Sequence, residues 1–351
     1  MKKKGVLILA LALTLSFTGC AREDARNAYE AGVEKLQNAD YEGAITSFNE
    51  TIETGKFQAY AYRGLGLSYM LEGSYADACI AFERALLYLD NEGEDFIRDV
   101  NLYLAYCRTQ HAEKDKAIEI YTTMLKNETD PEVLFLRGRL YMQNDDKESA
   151  RADFDKAAEL SKDYALYISI YQLYSEYNMD ADGAEFLKKA LDIAESTEED
   201  YYDRGLIYYY LQNYNAAEEA LTEALRKDES DMESLLLLGR VYLAKGNISD
   251  ARALFKEHVS DENGAAAAYN GLALCDMAEE NYDSALENVN AGLTLNDETI
   301  QQSLLFNEIV IYENKNEWET AQTKAAAYVV SYPSDENGLR ENEFLTSRLS
   351  E

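Results

Sequence analysis

The feature that most constrains this chain is a repeat. Set in one column, Ala44, Ala78, Ala117, Ala150, Ala217, Ala251, Ala285 and Ala321 share a register from which only Gly183 departs, as Gly for Ala. The spacings are 34, 39, 33, 33, 34, 34, 34 and 36 residues. Twelve residues earlier lies a second small column: Gly32, Gly66, Ala105, Gly138, Gly205, Gly239 and Ala273. Four residues after the Ala column stands a bulky one: Phe48, Phe82, Tyr121, Phe154, Leu187, Leu221, Phe255 and Val289. Aromatic residues recur three before it, at Tyr41, Tyr75, Tyr214, Tyr282 and Trp318. A period of this length identifies a stacked array of one supersecondary unit, each unit burying its apolar face against its neighbours.

Helical hairpins are the unit that the composition allows. Only 2 of the 351 residues are Pro, and the segments between turn-like stretches carry apolar residues at helical spacing. Leu71-Glu72-Gly73-Ser74 and Ala244-Lys245-Gly246-Asn247 suit tight reversals, so Ser234–Ala244 and Asp250–Val259 read as an antiparallel helix pair. Small residues on one helix let its partner approach closely, and the bulky column fills the space beside them. The net charge of −33 disfavours nucleic acid and anionic headgroups as ligands of the folded body. Disorder is excluded by a hydrophobic content of 47% in a regular pattern.

Residues 1–19 read as a targeting segment: Lys2, Lys3 and Lys4, the apolar run Val6–Leu15, and a small residue before Cys20. The run is too short for a span of roughly 20 apolar residues. Phe17-Thr18-Gly19-Cys20 resembles the bacterial lipobox, with Phe17 where Leu is usual. The resemblance implies cleavage before Cys20, diacylation of that cysteine, a short tether over 20–24, and an extracytoplasmic body at a bacterial cell surface or in the periplasm. Two acyl chains make such anchoring stable, since each buried methylene contributes about 0.8 kcal/mol.

From about residue 25 to 334 the chain resembles a tetratricopeptide-repeat array. The resemblance is carried by Arg63-Gly64-Leu65-Gly66-Leu67-Ser68-Tyr69 with Tyr75-Ala76-Asp77-Ala78, and by Leu238-Gly239-Arg240-Val241-Tyr242. It implies an all-α solenoid of about nine helix-turn-helix repeats in a right-handed superhelix, opening near Ala25, Ala59, Arg98, Pro131, Tyr164, Glu198, Met232, Ala266 and Gln302, with a capping helix over 335–351. Repeats five and nine replace the Gly by Tyr171 and Ile309, which predicts looser or rotated helix pairing there. Asp90–Asp95 is expected to form an exposed loop, and Pro333 is the exception to a general absence of terminal prolines.

In that family the first helices line a groove whose non-core positions meet a protein or peptide. Carried onto this sequence, the groove residues are Tyr29, Arg63, Met70, Tyr106, Phe135, Arg139, Tyr202, Tyr209, Arg240, Asn270 and Phe306. Aromatic, Met and Arg side chains anchor interfaces at low entropic cost, and a guanidinium holds a carboxylate in a fork. The alternative for Arg63, Arg139 and Arg240 is pairing with the chain's own surplus acids. The Lys and Asn clamp by which some family members hold chaperone carboxylates is replaced here by Tyr29, Val33, Leu67 and Leu102.

The sequence points to no enzyme, cofactor or metal. His111 and His258 are about four repeats apart, and His258 falls in a column otherwise filled by Ala85, Ala157 and Ala224. Asn178, Asp180, Asp182 and Gly183 imitate the first half of a calcium loop, but Lys189 stands where its bidentate Glu belongs. Cys79, Cys107 and Cys275 fall at small or apolar positions and read as buried thiols, with a Cys79–Cys107 disulfide as the alternative. Two functions follow: a scaffold recruiting a protein or peptide through its groove, or an accessory subunit of a surface uptake or enzyme complex that binds by its outer face or ends.

Overall fold

The computed structural model describes residues 20–193, 201–261 and 264–350. Among them the chain forms nineteen α-helices and no strand. Eighteen helices make nine hairpins. They are α1 (Cys20–Gln37) with α2 (Tyr41–Glu53), α3 (Gln58–Glu72) with α4 (Tyr75–Leu87), α5 (Glu94–Gln110) with α6 (Lys114–Asn127), and α7 (Pro131–Gln143) with α8 (Lys147–Leu160). Next come α9 (Tyr164–Glu176) with α10 (Asp180–Leu191), and α11 (Tyr201–Tyr210) with α12 (Tyr214–Lys227). The last three are α13 (Met232–Ala244) with α14 (Ile248–Glu257), α15 (Ala265–Ala278) with α16 (Tyr282–Thr294), and α17 (Glu298–Asn314) with α18 (Trp318–Ser331), followed by α19 (Glu336–Ser350). Contacts divide the chain into two compact units, one up to residue 166 and one from residue 167 onward. Within the first unit α1, α3 and α5 pack in succession, and within the second α11, α13, α15 and α17 do so, so first helices share a side of each stack. The signal segment 1–19 and Glu198, the expected opening of the sixth repeat, lie outside the described residues.

Each hairpin closes on the same backbone device. One residue per turn adopts a left-handed conformation: Ala39, Gly73, Ala112, Asp145, Asn178, Gln212, Gly246, Glu280 and Asn316. Each stands five residues before the column of Ala44 and Ala78, so the turns keep the register seen in the sequence. The N–H of the next residue then donates to a carbonyl in the last turn of the preceding helix, as from Ser74 to Tyr69 and from Asn247 to Tyr242. This is the Schellman arrangement, which satisfies carbonyls that the helix end leaves open. Most of these sites are not glycine, although a left-handed L-residue costs roughly 1–2 kcal/mol. Side chains complete several of the helix starts. Asp40 accepts from Gly43 N–H at 3.0 Å, and Asp130 accepts from Glu132 N–H at 2.8 Å ahead of Pro131.

The small and bulky columns meet within each hairpin. Phe48 lies against Gly32, Phe82 against Gly66, Phe154 against Gly138, Leu221 against Gly205 and Phe255 against Gly239. All five bulky side chains are wholly buried. A methyl on Gly66 would sit 2.6 Å from Phe82 Cε1, so the ring occupies the space a side chain would take. The next hairpin closes the other side of two rings, since Gly64 also faces Phe48 and Gly271 also faces Phe255.

Repeats five and nine, which lack this glycine, place the small residue on the second helix. In the fifth, Gly183 approaches Tyr171 Cα to 3.2 Å and Tyr174 Cβ to 2.9 Å, measured from the Cβ it lacks. The small residue has moved to the second helix and accommodates the large one on the first. In the ninth, wholly buried Ile309 packs in one cluster with Ala321 and Ala325, and Ala325 stands where other repeats are bulky. The sizes are exchanged and the contact is kept. The expected loop over 90–95 is shorter than the sequence suggested, because Glu94 and Asp95 join the first turn of α5.

The helix α19 covers the last hairpin. Leu345 is buried with Ile309 and Tyr328, and Arg348 lies 3.8 Å over the Trp318 ring. Asp335, just before α19, accepts hydrogen bonds from Tyr328 Oη and Gln302. Burial and a hydrogen-bonded neighbour, Glu341 of α19, push the Glu313 carboxyl up to about 7.

Three outcomes test these contacts. Gly66→Ala is expected to lose about 1–3 kcal/mol in chemical denaturation by crowding Phe82. Ala112→Gly, which relieves a left-handed Ala, is expected to gain about 0.5–1 kcal/mol. The folded chain holds the Glu313 proton more tightly than the unfolded one, so this group's contribution is lost as pH rises from about 4.5 to about 7. Thermal melts across that window should show Glu313→Gln gaining on the wild type as pH rises, with the gain levelling off above it.

Candidate functional site

The exposed side of the first helices is polar and aromatic, and the two units carry it separately. In the first unit, Arg63 on α3 reaches Asp99 on α5 at 3.2 Å and lies 5.4 Å over the Phe96 ring. Its guanidinium also hydrogen-bonds Tyr103, whose hydroxyl pKa is raised by burial. Asp99 and Arg63 side chains are only 17% and 11% exposed. The shielding makes this a tie between the second and third hairpins rather than a free cation.

Arg139 on α7 differs. It is half-buried, and its Nε is shielded from solvent without an acceptor. Its charge acts on Tyr106 of α5 and Tyr121 of α6. Burial pushes the Tyr121 hydroxyl up to about 12. Tyr106 is half-buried, shares a hydrogen bond with Tyr75 and meets that ring edge-on at 6.3 Å. Phe135 packs on Phe154 at 6.0 Å. Among the described residues no carboxylate lies within ion-pairing distance of Arg139.

In the second unit the corresponding face is a run of tyrosines. Tyr209 on α11 sits 6.1 Å from Tyr210 and 6.0 Å from Tyr214, and Arg240 of α13 lies over it at 5.4 Å. Tyr210 in turn meets Tyr171 at 4.7 Å and accepts a hydrogen bond from Gln172 at 3.2 Å. Tyr202 is half-buried, and burial first, with Glu233 and Tyr210 adding to it, pushes its hydroxyl up to about 12. Arg240 is exposed and, among the described residues, also lacks an ion-pairing carboxylate.

Three of the expected groove residues are internal. Tyr29 is 1% exposed against Phe48, and Met70 is 5% exposed in the same core. Asn270 is 5% exposed and accepts from Asn307 Nδ2 at 2.7 Å, joining α15 to α17. Phe306 is half-buried and packs edge-on against Tyr328 at 5.7 Å within the final hairpin. Tyr29, Met70 and Asn270 cannot meet a ligand without being uncovered. Tyr106, Phe135, Arg139, Tyr202, Tyr209, Arg240 and Phe306 keep accessible surface. Cys20 opens α1 in the backbone.

Some residues that matter here were not singled out by the sequence. Arg137 grips Asp153 with two hydrogen bonds, 2.8 and 2.7 Å, and also reaches Thr122. It lies two positions from Arg139 but points to the hairpin's own second helix, a difference that only the helix's rotation decides. Buried Asp276 is held by Arg252 at 2.7 Å and by Asn288 at 2.7 Å. Among the described residues no group of three or more His, Cys, Asp or Glu side chains could hold a metal ion. His258 hydrogen-bonds Asp261 at 2.6 Å beyond the end of α14. Asn178 is the left-handed turn residue of the fifth hairpin, and Ser175 donates to Asp180 at 2.6 Å in the same turn.

Comparison with known proteins identifies the repeats in part of the chain. Residues 29–94 and 202–267 match one tetratricopeptide-repeat family model, and residues 131–164 match a second. The chain is 26% identical over 246 residues to the TPR repeat-containing protein MJ1428 of Methanocaldococcus jannaschii, covering 65% of this chain and 42% of that protein. It is 24% identical over 250 residues to BBSome complex member BBS4 of Bos taurus, covering 70% of this chain and 47% of that protein. The chain thus spans less than half the length of either relative. Among solved structures, yeast Tom70 aligns over 94% of this chain and 90% of its own at 16% identity and a TM-score of 0.48. A tetratricopeptide repeat protein from Parabacteroides merdae aligns over 72% and 98% at 14% identity and a TM-score of 0.46. With the family matches falling on hairpins that share one turn and one packing contact, the chain carries tetratricopeptide repeats and folds as an α-solenoid built from them.

Proposed function

We propose that this chain is a lipid-anchored, extracytoplasmic scaffold that binds a protein or peptide on the open side of its first helices. Tetratricopeptide repeats generally serve protein–protein association. The observation that carries the reading for this chain is the state of Arg139 and Arg240. In a chain of net charge −33, acids are abundant, and Arg63, Arg98, Arg108, Arg137 and Arg252 are each paired with one. Two guanidiniums beside half-buried tyrosines, with no carboxylate partner among the described residues, are suited to receive a carboxylate or backbone carbonyl from outside. The anchor rests on Gly19-Cys20 and the charged and apolar segments before it, and membrane recruitment of a partner at the bacterial envelope follows from it.

A second reading is an accessory subunit that docks by its outer helices. It draws on the exposed apolar residues of α4 and the turn after it, Ile80 at 51%, Leu87 at 76%, Tyr88 at 42% and Leu89 at 36%. Affinity capture from native membranes separates the two. The Arg139→Ala, Arg240→Ala variant is expected to lose its main partner, about 10- to 100-fold in affinity, with helical content by circular dichroism unchanged. Arg63→Ala should instead lower the melting temperature and leave capture intact, since its charge is used internally. Equal capture by wild type and the double variant, with loss in Ile80→Ser, Leu87→Ser, would move the site to the outer helices. For the anchor, Cys20→Ala is expected to abolish incorporation of labelled fatty acid and to shift the protein from the membrane to the soluble fraction.

A further inference from the structure

Two of the three buried cysteines are neighbours. Cys79 lies near the start of α4 and Cys107 near the end of α5, and the two helices run antiparallel between the second and third hairpins. They are 1% and 0% exposed, and their side chains hydrogen-bond each other. Cys275, also wholly buried, stands on α15 in the other unit.

We infer that Cys79 and Cys107 form a thiol pair that reacts with a disulfide oxidant to cross-link α4 and α5 reversibly. Adjacency is the first requirement, because a disulfide needs sulfurs brought together by helices that already pack. An activated sulfur is the second. A buried thiol is ordinarily inert, and burial does push Cys275 up to about 11. Cys79 goes the other way: the hydrogen bond from Cys107 and then the charge of Arg108 hold its thiol below the usual value, against the effect of burial. Arg108 is fixed in place by Glu83 and Glu113. Cys107 is pushed up by giving that hydrogen bond and by burial, so the pair has an attacking and a proton-holding member.

Access is the third requirement. A surface depression of about 350 Å³ is lined by Leu104 and Arg108, which flank Cys107 on α5, and by Glu83, one turn from Cys79 on α4.

The reaction balances with glutathione disulfide as oxidant. The Cys79 thiolate attacks one of its sulfurs, the glutathione S–S bond breaks, and one glutathione thiolate leaves. Cys107 passes its proton to that thiolate, and its sulfur then attacks the Cys79 sulfur and expels the second glutathione as a thiolate, which takes up the proton lost when Cys79 ionised. Two cysteine thiols are oxidised and one glutathione disulfide is reduced to two glutathiones. The new bond closes a loop on the order of 30 residues, so it constrains the unfolded chain appreciably.

The test uses the folded full chain incubated with glutathione disulfide or with a phosphine reductant, then alkylated in denaturant and digested for mass spectrometry. The expected result is a Cys79–Cys107 linked peptide two hydrogens lighter than the reduced pair, with Cys275 still alkylated. The oxidised chain should melt about 5–10 °C higher than the reduced chain. Cys107→Ser is expected to trap one glutathione on Cys79, whereas Cys79→Ser should leave Cys107 unmodified. Cys275→Ser should oxidise as the wild type does. Both thiols remaining fully alkylatable in the folded chain would overturn the inference, as would linkage that forms only in denaturant. Glutathione stably retained on Cys79 in the wild type would overturn it too, by showing that Cys107 does not reach it. Circular dichroism of each variant keeps a folding defect from passing as a loss of reactivity.

Discussion

The structure depends on one contact, a large side chain of the second helix seated on a residue without a side chain on the first. Phe82 over Gly66 and Phe255 over Gly239 bring two helix axes together without a gap. The left-handed turn residue sets the angle at which the helices meet, and its place five residues before the Ala column keeps that angle constant. What the contact requires is complementary size, and its direction is free. The fifth hairpin meets the requirement with Tyr171 on the first helix and Gly183 on the second, and the ninth with Ile309 and Ala325. Interiors are packed densely enough that a volume gained on one side must be given up on the other.

Electrostatics follow from this scaffold. A chain with twice as many acids as bases can pair most of its cations internally, and much of that pairing ties one hairpin to the next. Arg98 of α5 reaches Asp130 and Glu132 at the start of α7, Arg252 of α14 reaches Asp276 and Glu279 of the following hairpin, and Lys315 reaches Asp283. The period puts acids and bases of successive repeats at matching heights, so such ties recur. Glu308 on α17 is only 4% exposed as a residue and is held by Lys324 of α18 at 2.7 Å. Shielded pairs of this kind cost more to break than to keep, because either partner left alone is a buried charge. Arg139 and Arg240 have no such tie among the described residues, which the sequence could not show: all three arginines chosen from it sit on first helices, and of the three Arg63 alone finds an acid on the neighbouring hairpin.

Much of the architecture was legible beforehand because it is written in neighbours along the chain. The hairpin period and the small and bulky columns act within about one repeat, and a period survives in a sequence whatever the neighbouring repeat does. The turns were legible only in part. Gly73 and Gly246 announced left-handed residues, while Ala112, Gln212 and Glu280 gave no such sign, since their conformation is imposed by the two helices they join.

By itself, the sequence determined that the chain is an all-helical repeat, the size complementarity inside its hairpins, and the strong negative charge that surrounds them. The tertiary structure alone decided which first-helix positions remain open. Tyr29 and Met70 share a helical face with accessible residues elsewhere in the array, yet both are buried in one core cluster. It also decided that Cys79 and Cys107 touch while Cys275 stands apart. The physical reason is the same in each case. A repeat fixes what lies within a hairpin through local spacing, whereas exposure and contact between hairpins depend on the angle at which one stacks on the next.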